Sequence, residues 1–353
     1  MSDLIIPTRP PVWCPDLPKL GGHLGEAPED FEVEEVPLYQ PSGEGAHRYL
    51  WVEKRGHNTR DVVRQLAKVA GVPEQEVGAA GLKDRHAVTR QWISLPARAA
   101  QGEAPASALE WPLPSGLKIL KETLHGNKLR TGHLLANRFW LRLIGCEPDA
   151  EARAVALLEA ARREGTFNSF GAQRFGRGGM NLTHALTWLR RGAGGRGFQP
   201  KLYASVLQAE VFNRYLAARY ARGLEAPLRG EVVRLHGAGK HFRVDNVEAE
   251  RPRWEKRDLH PTGPMPGPKA LFAEHEALEL ERAAAAGILE ELPRAFAKLA
   301  PGTRRDLMVY PEDLELVPEP ERGSFRLSFT LPSGSYATEL VEALTGSPAR
   351  REV

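Results

Sequence analysis

Short runs of alternating apolar and polar side chains lie near both ends of the chain, and helical patterns and loops fill the middle. Residues 31–36 read FEVEEV, and residues 324–331 read SFRLSFTL. A period of two residues is typical of a strand with one buried face. Strands mixed with helices, without a regular βαβ alternation, favour an α+β fold over a doubly wound parallel sheet.

The remaining periodic segments predict further strands and several helices. The predicted strands cover residues 47–54, 117–124 and 138–143, and the predicted helices cover residues 59–70, 150–163, 202–221 and 337–344. The turn-forming sequence PSGEG at 41–45 suggests that strand 47–54 pairs with strand 31–36. Asn58 or Thr59 is expected to cap the first helix, Gly71 to end it, and Asp149 to cap the second.

Two Gly/Pro-rich segments divide the middle of the chain. Residues 192–197 (GAGGRG) read as a hinge or surface loop, and residues 260–269 (HPTGPMPGPK) read as a second loop. Strand-rich ends around a distinct middle predict an inserted domain over 194–309. The other domain is then discontinuous and consists of residues 1–193 and 310–353.

Composition excludes several classes of protein. A chain of 353 residues accommodates about two domains, and its two cysteines, Cys14 and Cys146, cannot form a disulfide framework or a four-thiolate zinc site. No apolar run is long enough to cross a bilayer, and the first twenty residues lack the apolar core of a signal peptide. We therefore expect a cytoplasmic protein with no membrane association.

The net charge of +3 is small, but positive charge is concentrated in the middle of the chain. Residues 161–223 contain eleven basic side chains and only two acidic ones, Glu164 and Glu210. Such a segment suits a phosphate-rich partner, but solvated helix faces are the simpler explanation of a single basic run.

Two polar clusters are candidates for chemistry. In the first, Lys83-Asp84-Arg85-His86 follows an apolar approach and precedes a strand-like WISL. The flanking cations favour an ionised Asp84, which suits a nucleophile, a general base or a stabiliser of cationic character at a sugar carbon. An ordinary ion pair in a surface turn is the alternative.

The second cluster spans residues 168–179 (NSFGAQRFGRGG) and combines aromatic, amide and glycine residues. A phenylalanine can stack on a base and an amide can bind a base edge, while glycine admits close approach. The alternative is a Gly-rich hairpin with Phe170 and Phe175 in the core. The chain contains neither HExxH nor Gly-x-Ser-x-Gly, so the sequence supports no zinc peptidase or α/β-hydrolase site.

These clusters closely resemble the two signature segments of the TruD family of tRNA pseudouridine synthases. The matching stretches are, in chain order, PEDFEVEE, PSGEGAHRYL, NTRDVVRQLA, AAGLKDRHAVTRQW, GNKLRTGHLLANRFWL, FNSFGAQRFGRGGMN, RRDLMVYP and LPSGSYATELVEAL. They run from about residue 24 to about residue 344. The resemblance implies a pseudouridine synthase catalytic domain with a mixed, largely antiparallel sheet, plus an inserted family-specific α/β domain.

The resemblance also implies the activity and the site. The chain would isomerise a uridine of tRNA, by resemblance uridine 13 of the D-arm, without a metal or another cofactor. Asp84 takes the catalytic position, and Phe170 and Asn168 take the positions that hold the base and the aspartate. Lys83, Gln173 and Arg174 are expected to assist in binding RNA. No protein partner is implied, and a monomer is expected.

One position departs from the family pattern. Gly25 stands where a lysine commonly precedes the PEDF motif, so a cation near the site is missing or comes from elsewhere, with Lys19 and Arg85 as candidates. Two other functions stay open at this point. A non-catalytic RNA-binding or RNA-folding protein could share the fold, and a glycosidase would require a second catalytic acid near Asp84.

Overall fold

A computed structural model of the chain describes residues 5–97 and 113–349. Its strands are β1 (Gly21–Leu24), β2 (Phe31–Pro37), β3 (His47–Arg55), β4 (Gly78–Ala79), β5 (Val88–Pro96), β6 (Leu117–His125), β7 (Leu134–Cys146), β8 (Thr166–Phe167), β9 (Val232–Leu235), β10 (His241–Arg243), β11 (Leu259–Met265), β12 (Thr303–Asp306), β13 (Met308–Val309), β14 (Glu312–Glu319) and β15 (Ser324–Pro332). Its helices are α1 (Thr59–Ala70), α2 (Ala150–Glu164), α3 (Ala172–Phe175), α4 (Met180–Arg190), α5 (Phe198–Ala221), α6 (Val247–Glu255), α7 (His275–Ala285), α8 (Arg294–Leu299) and α9 (Ala337–Thr345).

The largest sheet joins strands from both ends of the chain. Its order is β14-β15-β7-β2-β5-β3-β6, with β1 beside β7 and β4 beside β5. Strands β2 and β5 run parallel, whereas the other neighbours in this sheet are antiparallel. The predicted α+β class with a mixed, largely antiparallel sheet is therefore confirmed.

The predicted pairing of the first two long strands is wrong. Strand β5 lies between β2 and β3, and β2 has β5 and β7 as its neighbours. The turn at 41–45 reverses the chain, but it does not bring the two strands into one hairpin. Because β5 carries apolar and buried polar side chains along most of its length, it fits between two strands better than at an edge.

A smaller sheet has the order β10-β9-β11-β12. Its strand β11 occupies the segment that the sequence predicts as a Pro/Gly-rich loop, and this prediction is wrong. The prolines lack N–H donors, but their carbonyls still accept, and Pro261 O accepts from Leu307 N at 2.9 Å. The strand is buried at every position from 259 to 264, so close packing selects an extended chain there.

The predicted helices over 59–70, 150–163, 202–221 and 337–344 are confirmed, with small changes at their ends. Asn58 caps α1 by accepting from Asp61 N at 3.0 Å, and Gly71 ends it at φ 64°. Asp149 makes no side-chain cap to α2. Its carboxylate pairs with Arg153 at 2.8 Å instead.

Helix α5 lies within the main hydrophobic core. Its residues Leu207 and Phe212 share one cluster of buried side chains with Phe139 of β7 and Leu327 of β15. The helix also contacts α4, α7, α8 and β11, so it connects the large sheet with the small one. The domain boundaries at residues 194 and 309 stay predictions.

Two kinds of feature are absent from the described residues. Within residues 5–97 and 113–349, no helix combines the length and apolarity that a bilayer crossing requires. In the same part of the chain, no group of three His, Cys, Asp or Glu side chains is arranged to hold a metal ion.

Candidate active site

Asp84 lies on the loop between β4 and β5, and buried side chains fix this loop from below. Thr59 Oγ1, at the start of α1, accepts from Lys83 N at 2.8 Å and donates to Gln91 Oε1 at 2.8 Å. Gln91 Nε2 in turn donates to Gly81 O at 3.0 Å. Thr59 and Gln91 are each at most 1% exposed, so the loop has little freedom on this side.

The side chain of Asp84 is exposed, whereas its backbone is anchored by a cation. Lys54 Nζ donates to Asp84 O at 2.5 Å and to His57 O at 2.8 Å, and the Lys54 residue is only 1% exposed. Asp84 Oδ1 accepts from His86 N at 2.9 Å. Burial lowers the pKa of Lys54 to about 8, against the attraction of the Asp84 carboxylate. The loop thus presents a carboxylate to solvent beside a buried ammonium group.

Lys83 points away from solvent and into the sheet. Its Nζ atom lies 3.3 Å from Glu35 Oε2 of β2 and donates to Asn137 Oδ1 of β7. Burial lowers the pKa of Lys83, and the charge of Glu35 opposes this shift. Lys83 therefore ties the loop to two strands, an arrangement that leaves its ammonium group little access to an RNA.

Asn168 belongs to a second group of side chains, organised by Arg305 of β12. Arg305 Nη2 donates to Asn168 Oδ1 at 2.5 Å, and its Nε donates to Asn168 O at 2.8 Å. Asn168 Nδ2 donates to Asp306 O at 3.0 Å. Asn168 is therefore held in place by β12 and is only 8% exposed.

The ring of Phe170 is covered by guanidinium groups and other rings. Arg305 Cζ lies 4.3 Å from the ring centroid and Arg174 Cζ lies 5.4 Å from it. Phe212 and Tyr336 contact the ring edge to face, at centroid distances of 5.5 and 5.8 Å. The residue is only 5% exposed and belongs to the main core cluster, so the expectation of a core ring is confirmed, and its role in holding the base stays a prediction.

Arg305 is a half-buried cation without a carboxylate partner. It forms no salt bridge within residues 5–97 and 113–349, and its third hydrogen bond goes from Nη1 to Gly334 O at 2.9 Å. Burial lowers the pKa of its guanidinium to about 10, so it remains charged at neutral pH. Its guanidinium donates to carbonyl and amide oxygens and lies over aromatic faces, and the charges of Asp306 and Glu339 act on it without a salt bridge.

The large sheet connects the two groups. Asn137, which accepts from Lys83, lies opposite Glu35 in β2 and opposite Leu331 in β15. Three residues after Leu331, Gly334 accepts from Arg305. The Asp84 loop and the Arg305 group are therefore attached to the same end of the β2-β7-β15 ladder.

The other predicted site residues differ in their surroundings. Arg174 donates to Tyr336 Oη at 2.6 Å and to Ser205 Oγ at 3.1 Å, so it belongs to the group around Phe170. Gln173 is exposed on α3 and makes no hydrogen bond to a described residue. The basic segment 161–223 contains both buried and exposed side chains. Arg219 is fully buried and paired with Glu231. The exposed basic side chains that form no salt bridge to a described residue include Arg177, Arg190, Arg191, Arg196 and Lys201.

The structure accounts for the glycine at position 25. A Cβ atom there would lie 2.2 Å from Asp30 Oδ2, and Asp30 is paired with Arg142. A lysine at this position would have to displace that ion pair. Lys19 is occupied elsewhere, with its Nζ atom 2.9 Å from Cys14 O. Arg85 Nε donates to Gly56 O at 3.1 Å, and the buried Lys54 donates to Asp84 O.

A carboxyl group, Glu339 of α9, lies beneath the second group. Ser169 Oγ donates to its Oε2, and its Oε1 is buried without a hydrogen-bond partner among the described residues. A Cβ at Gly171 would lie 2.0 Å from Oε1. Burial raises the pKa of Glu339 to about 7, and Ser169 and Arg305 oppose the shift.

This shift predicts a pH dependence of stability. Between pH 4.5 and about 7 the folded protein holds a proton that the unfolded chain releases, so the free energy of unfolding falls as pH rises through that window. Replacing Glu339 by Gln should remove this component and make the variant more stable than wild type at pH 8, by roughly 3 kcal/mol. Urea unfolding from pH 5 to pH 8 measures the difference, and parallel curves for the two proteins would contradict it.

Sequence reasoning missed Arg305, Lys54, Tyr336 and Glu339. Arg305 and Tyr336 lie in RRDLMVYP and LPSGSYATELVEAL, two stretches that carry the family resemblance. Their match to the family pattern was the signal that both segments matter. The contacts that give each side chain its role are long-range, and no local pattern encodes them.

Comparisons with known proteins agree on one family. The family model described as tRNA pseudouridine synthase D (TruD) matches residues 11–187 and 199–343. A relative named tRNA pseudouridine synthase D from Anaeromyxobacter dehalogenans (strain 2CP-C) is 43% identical, covering 96% of this chain and 97% of the relative. A protein of that name from Thermus thermophilus is 40% identical, covering 96% and 93%. A crystal structure from Methanosarcina mazei whose description names TruD shares the fold, with a TM-score of 0.73, 22% identity, and 96% and 97% coverage.

Proposed function

Because the chain belongs to the TruD family of tRNA pseudouridine synthases, we propose that it isomerises uridine 13 of tRNA to pseudouridine, with Asp84 as the catalytic carboxylate. The observation that carries this proposal is the placement of Asp84. Its carboxylate is exposed on a loop fixed by Thr59, Gln91 and Lys54, at the sheet end that also carries Arg305.

The reaction rearranges bonds within one nucleotide and consumes no second reactant. The N1–C1′ bond of the uridine breaks, the uracil turns, and a C5–C1′ bond forms. The proton on C5 leaves to solvent and N1 gains a proton. The Asp84 carboxylate either attacks C1′ and is released when C5 attacks, or takes the C2′ proton and returns it. Both routes require an ionised carboxylate beside the ribose.

The chain's cations suit the charge that develops. When the N1–C1′ bond breaks, the uracil carries negative charge, and a fixed positive group nearby lowers that barrier. Arg305 and Arg174 hold guanidinium groups over Phe170 at 4.3 and 5.4 Å from its ring centroid. We assign to Arg305 and Asn168 the role of positioning the group of side chains around Phe170, and to Lys54 the role of anchoring the Asp84 loop.

Reaching C1′ requires the target nucleotide to leave the base stack, and the protein must offset the cost. The exposed basic side chains of Arg177, Arg196 and Lys201 supply phosphate contacts, and such contacts should make tRNA affinity fall with salt. Lys83 stabilises the Asp84 loop rather than contacting the RNA, because its ammonium group is paired with Glu35 and donates to Asn137.

The test is tritium release from a tRNA transcript labelled at uridine C5. The native chain should release tritium from a transcript containing uridine 13 and should release none above background from a matched transcript with cytidine there. Release from both transcripts would reject position 13 as the target, but it would still support the isomerisation of a uridine elsewhere in the tRNA. Binding without release from either would reject the enzyme and favour a non-catalytic RNA-binding protein of the same fold.

A further inference from the structure

A cavity of about 410 Å³ opens on the surface between α4, the turn at 191–197 and α5. It shares none of its lining residues with the groups around Asp84 and Phe170. Small-molecule sites commonly have volumes of roughly 300–1,000 Å³, so this cavity accommodates one nucleotide but not a folded RNA element.

Aromatic rings form the wall of the cavity. The centroids of Trp188 and Tyr203 are 6.0 Å apart with the ring planes inclined by 47°, and His184 contacts the Tyr203 ring at 6.4 Å. Hydrogen bonds fix two of these rings: Trp188 Nε1 donates to Gly194 O at 2.7 Å, and Tyr203 Oη accepts from Gln199 Nε2 at 2.8 Å. The rings are therefore held in place before any ligand arrives.

The charge around the cavity selects an anionic ligand. Residues 165–209 contain no Asp or Glu, and the exposed Arg191 is part of the lining. Aromatic faces next to an arginine are the combination that proteins use for unstacked bases and their phosphates. An uncharged apolar ligand would leave the charge of Arg191 without a partner in the cavity.

The cavity lies close to the structure that supports the Asp84 loop. Phe198, beside Gln199 at the start of α5, is 67% exposed, and Arg60 Cζ of α1 lies 5.7 Å from its ring centroid. The residue before Arg60 is Thr59, which accepts from Lys83 N. The first turns of α5 and α1, which carry Phe198 and Arg60, are therefore in contact.

We propose that this cavity binds a second, non-target nucleobase of the tRNA, stacked on Tyr203 and Trp188 with its phosphate at Arg191. The proposal rests on the proposed function for the identity of the RNA. The family model leaves residues 188–198 unmatched, so Trp188 and Arg191 come from a segment outside the shared pattern. The contact adds affinity for tRNA without taking part in the chemistry.

The experiment measures the dissociation constant of the full chain for an unmodified tRNA transcript at several salt concentrations. Tyr203→Ala should weaken binding roughly tenfold, the scale of one base stacked on an aromatic ring, with the salt slope unchanged. Tyr203→Phe keeps the ring and should stay within about twofold of wild type. Arg191→Ala should weaken binding and lower the salt slope by about one, whereas Arg190→Ala, one residue away and outside the lining, should do neither.

Single-turnover tritium release at saturating tRNA should be unchanged in every variant. Wild-type affinity in Tyr203→Ala and Arg191→Ala would overturn the proposal, as would equal losses in Arg190→Ala and Arg191→Ala, which indicate diffuse attraction only. If Tyr203→Ala does not fold, the affinities of Arg191→Ala and Arg190→Ala test the proposal. If the native chain releases no tritium but the affinity losses appear, the proposed function fails and the binding site stands.

Discussion

Replacing Asp84 by asparagine should reduce the single-turnover rate of tritium release by at least about a thousandfold, the scale lost when a group at the reacting atoms is removed. The amide is the same size and can still accept from His86 N, so the loop should keep its shape. Because the buried contacts of the loop come from Thr59, Gln91 and Lys54, the melting temperature should change little.

The control for this variant is Asp61→Asn. Asp61 is a carboxylate on α1, the helix that supports the loop, and it pairs with Arg64 at 3.4 Å. Its removal changes the net charge equally and should leave the rate within about twofold, since surface pairs contribute little. A rate for Asp84→Asn close to that of Asp61→Asn, with tRNA still bound, would remove Asp84 from the chemistry.

Replacing Arg305 by lysine should lower kcat/KM for tRNA roughly a hundredfold, although the charge is kept. A guanidinium reaches Asn168 O, Asn168 Oδ1 and Gly334 O at once while lying over Phe170, and an ammonium group does not reproduce that fork. The acceptors left without a donor should lower the free energy of unfolding by about 2 kcal/mol.

Arg174→Lys is the comparison for Arg305→Lys. Arg174 also faces Phe170, but its hydrogen bonds go to the side chains of Ser205 and Tyr336, so its loss should cost less than about tenfold in kcat/KM. Steady-state kinetics with calorimetry on the same samples separates catalysis from stability. Equal effects of the two lysine variants would show that Arg305 contributes charge alone.

Local sequence patterns predict the elements well and their neighbours poorly. The period-two run at 31–36 identifies β2, but only the register shows that β5 separates it from β3. The two prolines inside β11 favour a loop by every local rule, and burial against β9 and β12 overrides them. Strand order depends on packing across the whole chain, which a window of about ten residues does not contain.

The candidate site divides along the same line. Asp84 and Asn168 are found through their motifs, because short segments carry the resemblance. The orientation of the Lys83 side chain is not found in this way. Although Lys83 is next to Asp84 in the sequence, its side chain points into the sheet toward Glu35 and Asn137. Arg305, 137 residues from Asn168, enters only through tertiary contacts.

The long strand β7 has a consequence for how this protein is made. Its residues from Ala136 to Ile144 pair with β15, and the whole of α5 and the small sheet are translated in between. At ordinary translation rates, roughly 10 to 40 s pass between the synthesis of the two strands. During that time the β7 edge is an open template for other chains. A nascent chain of this architecture therefore exposes the β7 edge until β15 has left the ribosome.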